Sequence, residues 1–239
     1  MSFRQSVKDF GSLTNSKRTP EQTDLAYFWS GNYLAVWNGT LRSIASAQGL
    51  NVGKSARLFA LANMAMADAG ITAWDTKLHY VFWRPITAIQ NGDSDGNSKT
   101  AGDSAWQPLI VSPPYPEYTS GANNVTGAIT RILRSFFGIN EITFPVTTTV
   151  PQAIQQTRIY HHFTDAADDV VIVRVYEGIH FAFSDSAARA QGESVAKWVF
   201  KHFLGPVQGN SDEDDDKGDN DDNGDNGDKG NNGRKHNDR

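Results

Sequence analysis

The sequence contains no cysteine, so disulfide bonds, thiolate metal ligands and cysteine nucleophiles are all excluded. It also lacks any unbroken apolar stretch near the roughly 20 residues that a membrane-spanning helix needs. The first nine residues lack the apolar run of a signal peptide. With 239 residues, the chain has room for one core of ordinary size or two small ones. We therefore expect a soluble protein without a membrane span, whose localisation stays open.

Negative charge is also scarce outside the C-terminal segment. Residues 212–239 hold 11 acidic and 5 basic residues, which leaves 16 acidic and 17 basic residues for the rest of the chain. This segment has no aromatic or branched residue to bury, so we expect residues 207–239 to be a disordered tail rich in Asp, Asn and Gly. Asp219, Asp221, Asn223 and Gly224 match the start of a calcium loop, but its acidic closing position is Gly230. A solvated spacer is therefore favoured over a Ca²⁺ site.

The spacing of apolar residues predicts an all-α helical bundle. Thr19-Pro20-Glu21-Gln22 has the cap, the proline and the returning side chain of a helix start, and apolar residues follow at helical spacing as far as Ile44. Further helices are predicted at residues 55–69, 71–83, 121–137, 164–175 and 184–203. Residues 142–150 are β-branched but short and contain a proline, so we interpret them as an extended loop. The predicted organisation is an N-terminal extension at residues 1–18, a helical domain at 19–206 and the tail.

Chemistry is concentrated in three separated stretches, of which the first is Lys77-x6-Arg84-Pro85. On a helix, residues seven apart lie on nearly the same face, so Lys77 and Arg84 are expected to reach one anion. Pro85 disfavours helical geometry at Arg84 and is expected to end the segment. Taken alone, the pair is better explained as two surface cations that lie over apolar neighbours.

The second and third stretches are Ser120-Gly121 and Arg174-x5-His180. Ser120 precedes an apolar run at helical spacing, which places it near a helix N-cap with free backbone N–H groups beside Gly121. An ordinary Ser-Gly cap is an equally good explanation. Arg174 and His180 would point apart on a continuous helix, but Gly178 offers a break that lets both face inward. A lone histidine at such a position is more often a structural residue.

Together, the three stretches offer three cations, a helix start and one imidazole, which is the set of groups that binds a tetrahedral oxyanion. They resemble the signature motifs shared by vanadium-dependent haloperoxidases and type 2 phosphatidic acid phosphatases. The flanking residues 74–89, 113–118 and 174–181 are similar to the soluble bacterial haloperoxidase-like branch, and the resemblance covers residues 18–204. Such haloperoxidases carry an additional helical half before this region and are often exported. The resemblance therefore implies that this chain is the site-bearing half. Apolar faces such as those of Trp29 and Trp37 would be covered by a missing half or by a second subunit in a homo-oligomer.

The resemblance also implies roles for these residues. Vanadate would be held by the residues that match the family's motifs, with His180 bonded to the metal and Lys77 polarising hydrogen peroxide for attack by a halide. The matching set is Lys77, Arg84, Ser120, Gly121, Arg174 and His180. In the phosphatases, the same residues bind phosphate and the residue that matches His180 is the nucleophile. The implied partners are hydrogen peroxide and a halide, or a phosphate ester, and we expect no nucleic-acid partner.

Two departures from the family's pattern bear on activity. The second motif usually ends in a histidine that acts as general acid–base, and here that position is Ala122; such a group contributes about 10²–10⁴ in rate. The family also has an aspartate four residues after the third-motif histidine, where this chain has Ser184, followed by Asp185. Three hypotheses remain: a vanadate-dependent haloperoxidase of reduced or altered activity, an acid phosphatase, and a non-catalytic oxyanion binder.

Overall fold

A computed structural model describes residues 2–206, which form eight α helices and one two-stranded antiparallel sheet. The predicted all-α bundle is confirmed, with the small sheet as an addition. Within the described part of the chain, every helix is too short or too polar to cross a membrane. The calcium candidate at residues 219–224 lies outside the described residues. The helices are α1 (Phe3–Phe10), α2 (Pro20–Phe28), α3 (Tyr33–Ala47), α4 (Val52–Tyr80), α5 (Pro85–Gln90), α6 (Gly121–Phe137), α7 (Phe163–Tyr176) and α8 (Ala182–His202); the strands are β1 (Glu141–Thr147) and β2 (Thr157–His162).

The predicted helix start at Thr19 is confirmed. Its hydroxyl accepts from the Gln22 amide at 3.2 Å, and the Gln22 side chain accepts from the Thr19 amide at 3.0 Å. The helix that starts there is shorter than the apolar spacing indicates, because α2 ends at Phe28. Asn32 caps a new helix, α3, by accepting from the Ala35 amide at 3.1 Å. Residues 29–32 thus turn the chain between two helices.

The prediction of two helices around Gly70 is wrong, because α4 runs unbroken from Val52 to Tyr80. A glycine inside a helix costs only about 1 kcal/mol, which the buried apolar face of so long a helix outweighs. Val81 ends α4 in the left-handed conformation, with φ of 45°. Arg84 is therefore not on the helix that carries Lys77. It is the N-cap of α5, and Pro85 begins that helix instead of ending the earlier one.

The interpretation of residues 142–150 as a loop is wrong for residues 142–147 and confirmed for residues 148–150. Strand β1 pairs with β2, and the residues opposite each other include Phe144 with Tyr160 and Pro145 with Ile159. Ile142, Phe144 and Val146 alternate with exposed or half-buried residues and face the core. A proline is tolerated because each strand of a two-stranded sheet has a free edge.

Trp29 and Trp37 lie inside the chain's own core, so the expectation that an outside partner covers them is wrong. The Trp29 indole donates to the Tyr160 hydroxyl at 3.1 Å, and the Trp37 indole donates to the Thr126 hydroxyl at 3.1 Å. N-terminal to these tryptophans in the sequence, α1 packs against α5 and α7. The predicted domain boundary at residue 19 stays a prediction.

Helix α6 is the centre of the bundle and packs against α4 and α8. Two glycines let the backbones of α6 and α8 approach closely. A Cβ atom on Gly192 would lie 2.0 Å from the Asn124 carbonyl oxygen, and one on Gly127 would lie 2.4 Å from the Arg189 carbonyl oxygen. This close contact fixes α6, which begins at Gly121, against α8, which begins just after His180.

Candidate functional site

The six site residues predicted from the sequence converge on one place. A cavity of about 250 Å³ is lined by Lys77 from α4, Gly121 from α6, Arg174 from α7 and His180 from the α7–α8 connection. Arg84 reaches it from the α5 cap, because its Nη1 atom lies 3.1 Å from His180 Nε2. Ser120 is the N-cap residue immediately before Gly121. Five different parts of the chain thus meet at the cavity.

Lys77 lies in the last turn of α4 and its side chain is only 2% exposed. Its Nζ atom donates to the carbonyl oxygens of Pro116 at 3.0 Å and Glu117 at 2.8 Å. Burial, followed by the nearby charge of Arg84, lowers the pKa of Lys77 to about 7. This amine can therefore either hold or release a proton near neutral pH.

Arg84 is buried and held by the backbone on two sides. Its Nε atom donates to the Tyr115 carbonyl oxygen at 2.9 Å, and Nη1 donates to the Ile179 carbonyl oxygen at 2.9 Å. The guanidinium also lies 4.9 Å from the centre of the Tyr115 ring, in reach of a cation–π contact. Burial lowers the pKa of Arg84 to about 10, so it stays charged at neutral pH.

Arg174 is paired on one side and open on another. Its Nη1 atom lies 2.5 Å from Glu177 Oε2 and 3.4 Å from the Tyr33 hydroxyl. Burial by itself would lower the pKa of Arg174, but the charge of Glu177 and the neighbouring Tyr33 outweigh it and raise the pKa. Its Nε atom is buried and has no hydrogen-bond partner in the described chain. Arg174 therefore has one buried donor nitrogen without a partner in the described chain.

The predicted helix N-cap at Ser120 is confirmed by the backbone geometry. Ser120 is extended, with φ of −67° and ψ of 113°, and Gly121 is the first helical residue of α6. The first N–H groups of a helix have no partner within it, and they carry the positive end of the helix dipole. No heavy atom lies within 4 Å of the position that a Gly121 Cβ would occupy, so an anion can approach the backbone there.

The predicted break at Gly178 is also confirmed. Helix α7 ends at Tyr176, Gly178 has φ of 81°, and α8 begins at Ala182. A side chain at Gly178 would collide with the Gly11 carbonyl oxygen, 2.4 Å from its Cβ position. The turn that glycine permits places His180 between the helices, where both Arg174 and His180 line the cavity.

Glu117 is the site residue that the sequence analysis missed. Its Oε1 atom lies 2.8 Å from His180 Nδ1 and accepts from the Phe181 amide at 3.0 Å. The Glu117 side chain is 0% exposed and that of His180 is 3% exposed. Burial raises the pKa of Glu117 to about 7, although the Phe181 amide and Arg84 oppose the rise. The available signal was an acidic residue in the otherwise uncharged segment 106–130.

Glu117 and Arg84 together fix the tautomer of His180. A guanidinium can only donate, so His180 Nε2 must accept from Arg84 Nη1. The ring hydrogen is therefore on Nδ1, where it points to Glu117. Burial, followed by the charges of Arg84 and Arg174, lowers the pKa of His180 well below its usual value. His180 is thus a neutral imidazole whose lone pair is on Nε2.

The two departures from the family's pattern have different outcomes. Ala122 lines the cavity and supplies no acid–base group there. Ser184 is not the partner of the imidazole, because Glu117 takes that position, and Asp185 instead accepts from Asn123 Nδ2 at 2.9 Å. The remaining described histidines, at positions 79, 161, 162 and 202, are absent from the cavity lining.

Comparisons with known proteins identify the family and the fold. A family model described as the VCPO second helical-bundle domain matches residues 57–209. The chain is 27% identical over 238 residues to the vanadium chloroperoxidase of Curvularia inaequalis. The alignment covers 74% of this chain and 38% of that protein. A solved bacterial vanadium-dependent iodoperoxidase is 30% identical with a TM-score of 0.72, over 83% of this chain and 48% of its own. A bacterial vanadium-dependent chloroperoxidase, at 20% identity and a TM-score of 0.66, shares the fold. The chain spans about half the length of these relatives or less.

We predict that the site binds a tetrahedral anion more tightly at low pH. As the pH rises through 7, Lys77 loses its positive charge and Glu117 gains a negative one. Sulfate keeps its own charge over this range, so its affinity reports on the protein. Titration calorimetry should find sulfate bound at least about tenfold more weakly at pH 9 than at pH 5.5. Lys77→Met should bind sulfate more weakly at pH 5.5 and lose much of the pH dependence. An affinity that does not change between these pH values would contradict the assignment.

Proposed function

The chain belongs to the family of the VCPO second helical-bundle domain, and from this we propose that its cavity holds vanadate and supports peroxide-driven oxidation of a halide. The observation that carries the proposal is the convergence of Lys77, Arg84 and Arg174 with a neutral His180 on one cavity. We call these four residues, with Ser120 and Gly121, the oxyanion cage. Two similar proteins are named as vanadium peroxidases, and these names support vanadate as the anion.

The donors of the cage fit vanadate. Three cations and the first N–H groups of α6 suit its oxygens, and the buried Arg174 Nε atom has no other partner in the described residues. The lone pair of His180 Nε2 suits the central atom, because vanadium in its high oxidation state accepts imidazole nitrogen. When bound, vanadate supplies a Lewis acid that polarises a peroxide oxygen without changing its own oxidation state.

The chain's own residues hold and move the protons. Lys77 has a pKa of about 7, so its ammonium can donate a hydrogen bond or a proton to a peroxide oxygen at Nζ. Glu117 keeps the hydrogen of His180 on Nδ1 and so keeps Nε2 available. Arg84 now donates to Nε2, and this hydrogen bond would be exchanged for one to the bound anion. With Ala122 in place of an imidazole, the site lacks one acid–base group, and we expect slow turnover.

An acid phosphatase is the second candidate, favoured by the contact between His180 and Glu117. A neutral imidazole that a buried carboxylate orients is the arrangement that nucleophilic catalysis uses. Phosphate and vanadate have the same shape and similar charge, so the cage fits either one. A non-catalytic oxyanion binder is the third candidate, and Ala122 is the residue that favours it.

Activity assays on the purified full chain separate the three candidates. We expect oxidation of bromide or iodide by hydrogen peroxide that depends on added orthovanadate, and we expect His180→Ala to abolish it. Hydrolysis of a simple phosphate ester, inhibited by vanadate, would instead identify a phosphatase. Saturating orthovanadate should also stabilise the fold, by about 2.7 kcal/mol at 100 times its dissociation constant. No turnover together with an unchanged melting temperature would contradict the whole assignment.

Ala122→His should raise turnover by about 10²-fold or more, because it restores the acid–base group at the second motif. Steady-state kinetics at saturating vanadate measures the gain. Ala122→Gln is the matched control, since its side chain is of similar length but does not titrate, and it should give no comparable increase. Equal rates for the two variants would show that proton transfer at this position does not limit the reaction.

Glu117→Gln should separate catalysis from binding. Glutamine keeps an oxygen that accepts from the Phe181 amide and from His180, but it removes the negative charge that makes Nε2 more basic. Turnover should fall about 10- to 100-fold. Sulfate should bind as tightly as before or more tightly, because a negative charge beside the cage is lost. Glu193→Gln, on α8 and outside the cavity lining, is the control. Parallel losses of turnover and sulfate affinity would indicate a merely structural role for Glu117.

A further inference from the structure

The cavity is larger than the oxyanion cage requires. It has a volume of about 250 Å³, and the four oxygens of a tetrahedral ion, at about 30 Å³ for each water-sized group, fill about half of it. The rest of the cavity therefore has space for a group that is attached to the anion.

Away from the cage residues, the lining of the cavity is small, apolar or aromatic, with Asn32 as the polar exception. On α4, Ala73 lies one turn and Gly70 two turns before Lys77, so they continue the face that carries the lysine. On α6, Ala122 follows Gly121 directly and Val125 lies one turn after Gly121, and both line the cavity. We call these four residues, Gly70, Ala73, Ala122 and Val125, the apolar annex. The annex begins where the cage ends, and both belong to one continuous cavity.

Two features leave room beside the annex, although Ala73 and Val125 themselves are buried. No heavy atom lies within 4 Å of the position that a Gly70 Cβ would occupy, and Ala122 stands where the family's pattern has a much larger histidine. At the rim, the Trp74 ring is 49% exposed and its centre lies 4.8 Å from that of Tyr115. Aromatic side chains at the edge of an apolar space favour a flat apolar guest.

We propose that the cage and the annex together bind an oxyanion that carries a small aromatic group, such as an aryl phosphate or an arylphosphonate. The inference rests on the proposed oxyanion site and adds the class of its organic substituent. The cage would hold the charged oxygens, and the ring would lie between α4 and α6 against the annex. A ring that covers this apolar surface removes it from water, which adds to the affinity that the cage alone provides.

Methylphosphonate and phenylphosphonate are a matched pair for the test, because they share the charged group and differ in the apolar one. Both carry a stable P–C bond, so hydrolysis does not disturb the measurement. Titration calorimetry on the full chain at pH 6 should find phenylphosphonate bound about 10- to 100-fold more tightly, from burial of the ring. Equal affinities would overturn the inference and leave the oxyanion site intact. If neither compound binds, the oxyanion site itself is wrong and the inference fails with it.

Gly70→Leu tests where the ring lies. The new side chain enters open space and replaces a glycine inside a helix, so the variant should fold. We expect the preference for phenylphosphonate to fall below about threefold, since leucine occupies the room that the ring needs. Ala122→Leu should act in the same way from α6. Gly53→Leu, exposed on the same helix and outside the cavity, is the control and should keep the preference. A preference that survives both annex variants would overturn the proposal.

Discussion

The cost of burying three cationic side chains at one cavity is the constraint that shapes this structure. Backbone carbonyl groups meet part of that cost: Pro116 and Glu117 accept from Lys77, and other carbonyl groups accept from Arg84. Carboxylates offset another part of the cost, because Glu177 is paired with Arg174. The pKa of Lys77, lowered to about 7, shows that the compensation is incomplete. A bound anion would supply the negative charge that is still missing. The excess of positive charge at the cavity therefore points to an oxyanion.

Glu117 contacts both Lys77 and His180. Its backbone oxygen holds Lys77 and its side chain orients His180, so one residue sets the positions of both the proton-holding amine and the imidazole. The scaffold supports this through the close contact of α6 and α8 at Gly127 and Gly192. The chemistry thus depends on backbone placement as much as on the signature side chains. The presence of Ala122 removes one acid–base group and leaves this framework in place.

The sequence predicted the residues of the site better than the path of the chain between them. The start of α6 followed from a Ser-Gly pair before a helical pattern, and the break at Gly178 followed from the opposed directions of Arg174 and His180. The separation of Arg84 from the helix of Lys77 could not be predicted, because α4 ends at Val81, a β-branched residue that rarely adopts the left-handed conformation. Glu117 was missed because its partner lies 63 residues away, and no local pattern reports such a contact.

A crystal structure of the full chain grown with orthovanadate is the most direct measurement. We predict a single bound vanadate ion whose central atom would lie within bonding distance of His180 Nε2. Lys77, Arg84, Arg174 and the Gly121 amide should lie within hydrogen-bond distance of its oxygens. An ion bound at another place, or a cavity that stays without the ion at saturating vanadate, would contradict the account.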